Sequence, residues 1–307
     1  MLSWDNYISA ASLDEAFAHL ARYGDRARVI AGGTDLFTWA REGRAGDVHY
    51  EALVDVTRIA PLSGVRMEQG RLRIGANTTI AEFLRHPLLL QHAPVLRRCA
   101  IWFADDQIRE QATVGGNLVN ASPAGDAMPP LLTQNASVTL WRHEAGEPRS
   151  RTLALADYLQ GPGKTAMAPG ELLGHIELEP AGAYGTAFEK VGHRRSLVIS
   201  TVCLAVLARL DASGVRFHDV RIAIGAVGPV AMRLPEVERL LAGREIGAEL
   251  IADAAQMAEH HVRSRSRVEY RREVLVNFVE RGIVNALQEC GFAVARDAGH
   301  GEEVSHA

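Results

Sequence analysis

Cysteine is scarce in this chain, which has 3 among its 307 residues, and Cys99, Cys203 and Cys290 lie far apart in the sequence. None of them has the short spacing to another cysteine that a zinc ribbon or an iron–sulfur cluster requires, so neither can form from a local motif. An odd number of cysteines also fits a reducing compartment better than a disulfide framework. We therefore expect a cytoplasmic protein that holds no metal and is stabilised by its hydrophobic core.

Aromatic residues, an excess of positive charge and long apolar runs are also lacking. Aromatic side chains make up 6% of the chain, and 33 Lys and Arg stand against 37 Asp and Glu. A nucleic-acid-binding protein needs a basic surface or a platform of stacking rings, so we expect no nucleic-acid partner. The longest uncharged apolar stretch, Leu197–Ala208, is too short for a membrane span, and the N-terminus lacks the basic start of a signal peptide.

Common nucleotide-binding and catalytic motifs are missing too. No GxGxxG follows a predicted strand, which argues against a Rossmann dinucleotide site, and the GKT at 163–165 is not a P-loop because position 158 is Tyr158. HExxH and GxSxG are absent. The 12 histidines show no ligand spacing, and the neighbours His260 and His261 must point apart on a predicted helix.

The remaining pattern predicts a mixture of helices and strands. Strands are predicted at 28–31, 53–56, 72–76, 137–141, 172–178, 197–210 and 215–227, the last two joined through a turn at Gly214. Helices are predicted from Ser12 to Gly24, from Thr79 onward, and at 94–104, 234–241, 248–262 and 269–289. Ser12 with Glu15, and Thr79 with Glu82, have capping-box spacing. Because helices and strands do not alternate regularly, the predicted class is α+β.

Two glycine-rich segments are the candidate sites, and the first follows a predicted strand. It consists of Val29, Ile30, Ala31, Gly32, Gly33, Thr34, Asp35 and Leu36. Glycine permits positive φ, so consecutive backbone N–H groups can converge on one anion, and a following helix would add its dipole. A pyrophosphate would fit such a turn. An ordinary strand–turn–helix junction has the same pattern, and from this segment alone that interpretation is favoured.

The second segment lies in a stretch, residues 113–130, that lacks the charge of a solvated linker and is interpreted as a buried functional loop. It consists of Thr113, Val114, Gly115, Gly116 and Asn117, followed by NASPAGD at 120–126. Glycine allows close approach of a ligand, Asn and Ser can hydrogen-bond ring or phosphate atoms, and Asp126 can accept from a hydroxyl or a ring N–H. The alternative is a buried crossover loop. Two such segments together favour a dinucleotide-like ligand, which the spacing cannot name.

In this order the two segments resemble the FAD-binding medium subunit of the molybdenum hydroxylases, a family that includes xanthine dehydrogenase and aerobic carbon monoxide dehydrogenase. The resemblance extends to GPGK at 161–164, the strand at 171–178 and FEKVGHRR at 188–195, and leaves out only about the last dozen residues. It implies an FAD-binding PCMH-type (vanillyl-alcohol-oxidase-like) region over 1–180 in two parts, about 1–56 and 57–180. A smaller α+β flavoprotein domain would cover 181–291, before a frayed tail at 292–307.

The resemblance also implies roles for individual residues. Val29 through Leu36 would wrap the FAD pyrophosphate, Thr113 through Asn117 would form a second cradle, and Asp126 would hydrogen-bond the cofactor. Phe103 matches an aromatic residue beside the isoalloxazine, and Leu173 matches an apolar contact. Lys190 matches a lysine whose charge faces the cofactor, and the alternative for it is a surface ion pair with Glu189 or Glu171.

The implied function is that of an electron-transfer subunit. The chain would carry FAD, whose N5 is the redox centre, and would need no catalytic acid or base of its own. Its partners would be a molybdopterin-binding large subunit and a 2Fe–2S small subunit in a dimer of heterotrimers, and its acceptor NAD+, a quinone or oxygen. Some members carry an extra iron–sulfur cluster in this subunit, which three scattered cysteines exclude here. A stand-alone flavin oxidoreductase and a cofactor-free assembly subunit stay open, as does export to the periplasm on a partner's signal.

Overall fold

The computed structural model describes residues 2–41, 48–144, 147–194, 198–264 and 266–292, and within these ranges helices and strands are mixed as the α+β class predicts. The strands are β1 (Leu2–Ser9), β2 (Ala27–Ile30), β3 (Val48–Asp55), β4 (Val65–Glu68), β5 (Arg71–Gly75), β6 (Ser137–Glu144), β7 (Glu147–Ala154), β8 (Leu159–Gly161), β9 (Lys164–Thr165), β10 (Leu172–Leu178), β11 (Gly185–Val191), β12 (Val202–Leu210), β13 (Phe217–Gly225) and β14 (Met232–Arg233). The helices are α1 (Leu13–Tyr23), α2 (Thr34–Arg41), α3 (Glu82–Arg85), α4 (Pro87–His92), α5 (Pro94–Trp102), α6 (Asp106–Gln111), α7 (Val114–Asn120), α8 (Met128–Thr133), α9 (Leu155–Tyr158), α10 (Pro235–Leu241), α11 (Ala248–Ala258) and α12 (Val268–Glu289). Arg195, Leu197 and the predicted tail beyond Phe292 lie outside the described residues.

The N-terminal sheet is parallel, with strand order β1-β3-β2, and α1 packs beside it. The capping box predicted for α1 is confirmed, because the Ser12 hydroxyl accepts from the Glu15 N–H and the Glu15 carboxylate accepts from the Ala11 N–H. The strand predicted at 28–31 is also present. It is an edge strand, however, so Arg28 is exposed and only Ile30 is fully buried.

The second sheet is antiparallel, with strand order β4-β5-β10-β6-β7, and its core is completed by the short helices from α3 to α9. The capping box expected at Thr79 is wrong. The Glu82 N–H donates to the carbonyl oxygen of Thr79 rather than to its hydroxyl, and α3 begins only at Glu82. Thr79 is instead held in a β-bridge with Thr113, so a long-range contact overrides the local motif.

The Gly, Asn and Pro content of residues 113–130 predicts a loop, and this prediction is wrong. The stretch contains α7 and the start of α8. The Thr113 hydroxyl caps α7 by accepting from the Gly116 N–H at 3.0 Å. Val114 and Leu118 are fully buried on its inner face. This packing compensates for the poor helix propensity of two glycines.

The C-terminal sheet is antiparallel, with strand order β11-β12-β13-β14, and α10, α11 and α12 cover it. The predicted hairpin through Gly214 is confirmed, although β12 begins at Val202 rather than at 197. His260 and His261 lie in a one-turn 3₁₀ helix that follows α11. Across the ranges given above, no helix is both long and apolar enough to cross a membrane.

Candidate functional site

The first glycine-rich segment ends at the start of α2. Gly33 has φ of +66°, and the first backbone bond of the helix runs from the Phe37 N–H to the Gly33 carbonyl at 3.0 Å. Among the described residues, no acceptor is found for the backbone N–H groups of Thr34, Asp35 and Leu36. Unpaired N–H groups at a helix start attract anions, because the helix dipole is positive there. This turn therefore offers three donors to a bound anion.

The two glycine-rich segments lie against each other. A Cβ on Gly32 would stand 1.9 Å from the carbonyl oxygen of Gln111, so the first segment packs directly on the chain that leads into Thr113. The Asp35 carboxylate also accepts a hydrogen bond from the Asn120 side-chain amide at 2.8 Å. One backbone contact and one side-chain bond thus join residues that are far apart in sequence.

The second segment differs from the first because its backbone N–H groups already donate to acceptors within the chain. The N–H groups of Val114 and Gly115 donate to the carbonyl oxygens of Thr78 and Ala76, both at 2.9 Å. The N–H of Gly116 donates to the capping hydroxyl. This segment therefore contributes shape and side chains to the site, and the backbone donors come from the start of α2.

The Asn117 side chain supplies an unpaired polar atom at the site. Its Oδ1 is buried and has no hydrogen-bond partner within the part of the chain that the structure describes. A Cβ on Gly125 would lie 3.4 Å from this oxygen, so the amide sits beside the residue that precedes Asp126. A buried acceptor without a donor costs about 1–3 kcal/mol, which a ligand N–H or hydroxyl would recover.

Asp126 and Lys190 meet in a buried group. The Lys190 Nζ lies 2.5 Å from Asp126 Oδ2, and the two side chains are 4% and 10% exposed. The Ser200 hydroxyl donates to Asp126 Oδ1 at 2.6 Å, and Lys190 Nζ also donates to the carbonyl of Trp102 at 3.1 Å. Lys190 lies in β11, so this group ties the C-terminal sheet to the preceding helices.

The charge of Lys190 is thus largely balanced by Asp126. Burial raises the pKa of Asp126 above its usual range, although Lys190 and the Ser200 hydroxyl both act to lower it. An ammonium has three N–H donors, and two of them find acceptors among the described residues, which leaves one for a ligand within that part of the chain. Glu189 bonds Asn285, and Glu171 bonds Arg151, so neither is the partner of Lys190.

The two apolar residues carried over by resemblance lie at the margin of this arrangement. Phe103 is half-buried at the end of α5, directly after Trp102, and its carbonyl accepts from Arg109. Leu173 is buried in β10 beside Gly174, whose carbonyl accepts from the Ala76 N–H at 3.0 Å. Both therefore adjoin residues of the site, and their contact with a cofactor stays a prediction.

Sequence reasoning missed two side chains that hold this site together. Ser200 lies 74 residues from Asp126 and belongs to no motif, so only the fold could show their contact. Asn120 was predicted, with the other Asn and Ser residues of the second segment, to bond a ligand, but its bond to Asp35 was not predicted. Its spacing of three from Asn117 would put both on one face of a helix, a signal that was lost because the stretch was interpreted as a loop.

Comparison with protein families defines the class. A family described as the FAD binding domain in molybdopterin dehydrogenase matches residues 3–180. A second, described as the CO dehydrogenase flavoprotein C-terminal domain, matches residues 187–286. The chain is thus an FAD-binding oxidoreductase subunit.

Individual relatives and a solved structure agree with this class. The chain is 28% identical to the xanthine dehydrogenase FAD-binding subunit of Escherichia coli O157:H7, with 95% of this chain and 99% of that protein covered. It is 31% identical to the carbon monoxide dehydrogenase medium chain of Afipia carboxidovorans, with 92% and 96% covered. A crystal structure of Cu,Mo-CO dehydrogenase matches with a TM-score of 0.85 at 29% identity, over 94% of this chain and 98% of that one. The chain belongs to the family of FAD-binding medium subunits of xanthine and carbon monoxide dehydrogenases, which confirms the resemblance seen in its sequence.

The residues present fit FAD. Three N–H groups at the start of α2, which have no acceptor among the described residues, suit the charge of a diphosphate. The buried Oδ1 of Asn117 lacks a donor among the described residues, and FAD carries hydroxyl and N–H groups that could supply one.

Proposed function

We propose that this chain is the electron-transfer subunit of a heteromeric molybdenum hydroxylase, passing electrons from the iron–sulfur clusters of a partner to an external acceptor. The observation that carries the proposal is the set of N–H groups at Thr34, Asp35 and Leu36, which find no acceptor among the described residues and suit the charge of a diphosphate. The names of relatives support the heteromeric part. They include carbon monoxide dehydrogenase medium chains and a 6-hydroxypseudooxynicotine dehydrogenase complex subunit alpha.

The proposed partners follow from the same relatives. A molybdopterin-binding large subunit would hydroxylate the substrate, and a 2Fe–2S small subunit would conduct electrons to this chain. The assembly would be a dimer of heterotrimers in the cytoplasm, with NAD+, a quinone or oxygen as acceptor. The boundaries proposed for the two domains of this chain are residues 1–180 and 181–291.

The side chains of the site would bind and orient the cofactor. FAD, when bound, supplies the redox chemistry, because it accepts electrons and passes on a pair. The first turn of α2 would hold its diphosphate, and the bond between Asp35 and Asn120 would keep the two segments closed around it. The remaining N–H of Lys190 would face the cofactor while Asp126 holds the ammonium in place. No residue of this chain is assigned proton transfer.

A pair of glycine variants tests the proposal. Gly33→Val places a β-branched residue at φ of +66° beside the unpaired N–H groups, whereas Gly214→Val places one at φ of +72° in the C-terminal hairpin turn. Both substitutions strain the backbone. Each full chain is reconstituted with FAD, and unbound FAD is removed by gel filtration. The wild-type and Gly214→Val chains should retain one flavin per chain, and the Gly33→Val chain should not.

The absorbance of the retained flavin measures the outcome. A wild-type chain without bound flavin would contradict the proposed function. A Gly33→Val chain that keeps its flavin would contradict the assignment of the first segment.

A further inference from the structure

Thr78 carries a second unpaired polar atom near the glycine-rich segments. The residue is 5% exposed, and its Oγ1 is buried without a hydrogen-bond partner in any of the described ranges. Buried hydroxyls in native proteins are nearly always paired, since an unpaired one loses its bonds to water and gains none. The hydroxyl is therefore available to a partner from outside these residues.

The backbone on both sides of Thr78 is held by hydrogen bonds. The Thr78 N–H donates to the carbonyl of Gly75 at 3.0 Å, and its carbonyl accepts from the Val114 N–H at 2.9 Å. Two residues further on, the Ile80 N–H donates to the Ala112 carbonyl at 2.9 Å. Thr78 is thereby anchored to the first turn of α7.

Backbone contacts connect this anchored segment to the first glycine-rich segment through residues 111–115. A Cβ on Gly32 would stand 1.9 Å from the carbonyl oxygen of Gln111 and 3.2 Å from the Cα of Ala112. The carbonyl of Ala112 is the acceptor of the Ile80 N–H described above. Residues 76–80 therefore adjoin 111–115, which in turn adjoin Gly32, two residues before the first α2 N–H group that has no acceptor among the described residues.

We propose that the Thr78 hydroxyl is a further binding group for FAD and donates to an oxygen of its diphosphate. This inference rests on the proposed function, because it needs a diphosphate bound at the start of α2. A hydroxyl that donates to an ionised oxygen forms a strong, short hydrogen bond. The cost of burying the unpaired hydroxyl in the FAD-free chain is then recovered on binding.

A matched set of threonine variants tests this role. Thr78→Val removes the hydroxyl and keeps the shape, while Thr78→Ser keeps the hydroxyl. Thr133→Val is the control, because Thr133 is fully buried in α8 and its hydroxyl is satisfied by the Pro130 carbonyl at 2.7 Å. For each full-length chain the FAD dissociation rate is followed by the recovery of flavin fluorescence, and the Tm of the FAD-free chain is measured separately.

The loss of the Thr78 hydroxyl should weaken FAD binding but stabilise the FAD-free chain. Thr78→Val should release FAD about 10-fold faster, and the Tm of its FAD-free form should rise by about 2–4 °C, because an unpaired buried group is removed. Thr133→Val should instead lower the Tm and leave FAD release unchanged. Thr78→Ser should release FAD within about twofold of the wild-type rate. The phosphorus NMR signals of bound FAD should shift in Thr78→Val and not in Thr133→Val.

The inference and the proposed function fail in different ways. A wild-type chain that binds no FAD overturns both. A wild-type chain that binds FAD, with Thr78→Val releasing it at the wild-type rate or with unshifted phosphorus signals, overturns the role of Thr78 alone. If Thr78→Val does not fold, Thr78→Ala is measured in its place and is interpreted in the same way.

Discussion

The buried pair of Asp126 and Lys190 allows a quantitative prediction. Lys190→Met keeps the length of the side chain but leaves the Asp126 carboxylate buried with Ser200 as its only remaining side-chain partner among the described residues. Breaking a buried ion pair from one side costs about 3–5 kcal/mol. For a chain of this size such a loss lowers the Tm by roughly 5–8 °C.

A double-mutant cycle separates the pair from its surroundings. In Lys190→Met/Asp126→Asn no buried charge is left, and the Asn side chain can still accept from Ser200. The double variant should therefore be more stable than Lys190→Met, with a coupling energy of about 2–4 kcal/mol. Thermal unfolding of the four full-length FAD-free chains gives the values. Additive effects, or a loss below about 1 kcal/mol in Lys190→Met, would refute the buried pair.

The loss in Lys190→Met should also depend on pH in a defined direction. Burial raises the pKa of Asp126 above its usual value of 3.8, so the folded chain binds this proton more tightly than the unfolded chain. Such a group costs stability as the pH rises from the unfolded to the folded pKa. Without Lys190 the folded pKa rises further, so the deficit should be small near pH 4 and should grow with pH. The double variant should not show this dependence.

The remaining predictions concern the two glycine-rich segments. Gly115→Ala should lower the free energy of unfolding by about 1–3 kcal/mol, because its Cβ would stand 2.7 Å from the carbonyl oxygen of Ala76. Gly116 is exposed, so Gly116→Ala should cost less than about 1 kcal/mol. Thermal unfolding measures both. Equal losses would contradict the close packing of α7. Asn120→Ala removes the bond to Asp35 and should speed FAD release about fivefold, as measured by flavin fluorescence. Asn120→Asp should have the same effect, because two carboxylates would then face each other. An unchanged rate in either variant would show that this bond does not hold the segments closed.

The family, the cofactor and about half of the helices and strands could be predicted because they depend on local pattern. The capping box of α1, the strand β10 and the hairpin at Gly214 each follow from neighbouring residues. The two glycine-rich segments identify the family because each is a short motif of neighbouring residues and the two occur in the family's order. The loop predicted at 113–130 is wrong because the prediction followed the Gly, Asn and Pro composition and gave no weight to Thr113 as a capping residue. The effect of that cap depends on burial of the helical turn that follows it.

The partners within the site could not be predicted because they come from distant segments. Nothing near Lys190 in the sequence indicates Asp126, and the two residues expected to face the cofactor bind each other. The N–H groups of α2 that have no acceptor among the described residues follow a glycine pair, whereas the bonded N–H groups of α7 belong to Val114 and to the first glycine of a similar pair. What distinguishes them is the backbone of Ala76 and Thr78, which reaches only the second.

Hydrogen–deuterium exchange at these two helix starts tests the central claim most directly. In the FAD-free chain the amides of Thr34, Asp35 and Leu36 should exchange rapidly, whereas those of Val114 and Gly115 should already be protected by their backbone acceptors. Addition of FAD should protect the first set by at least about 10-fold and leave the second set unchanged. Equal exchange of Thr34, Asp35 and Leu36 with and without bound FAD would contradict the account.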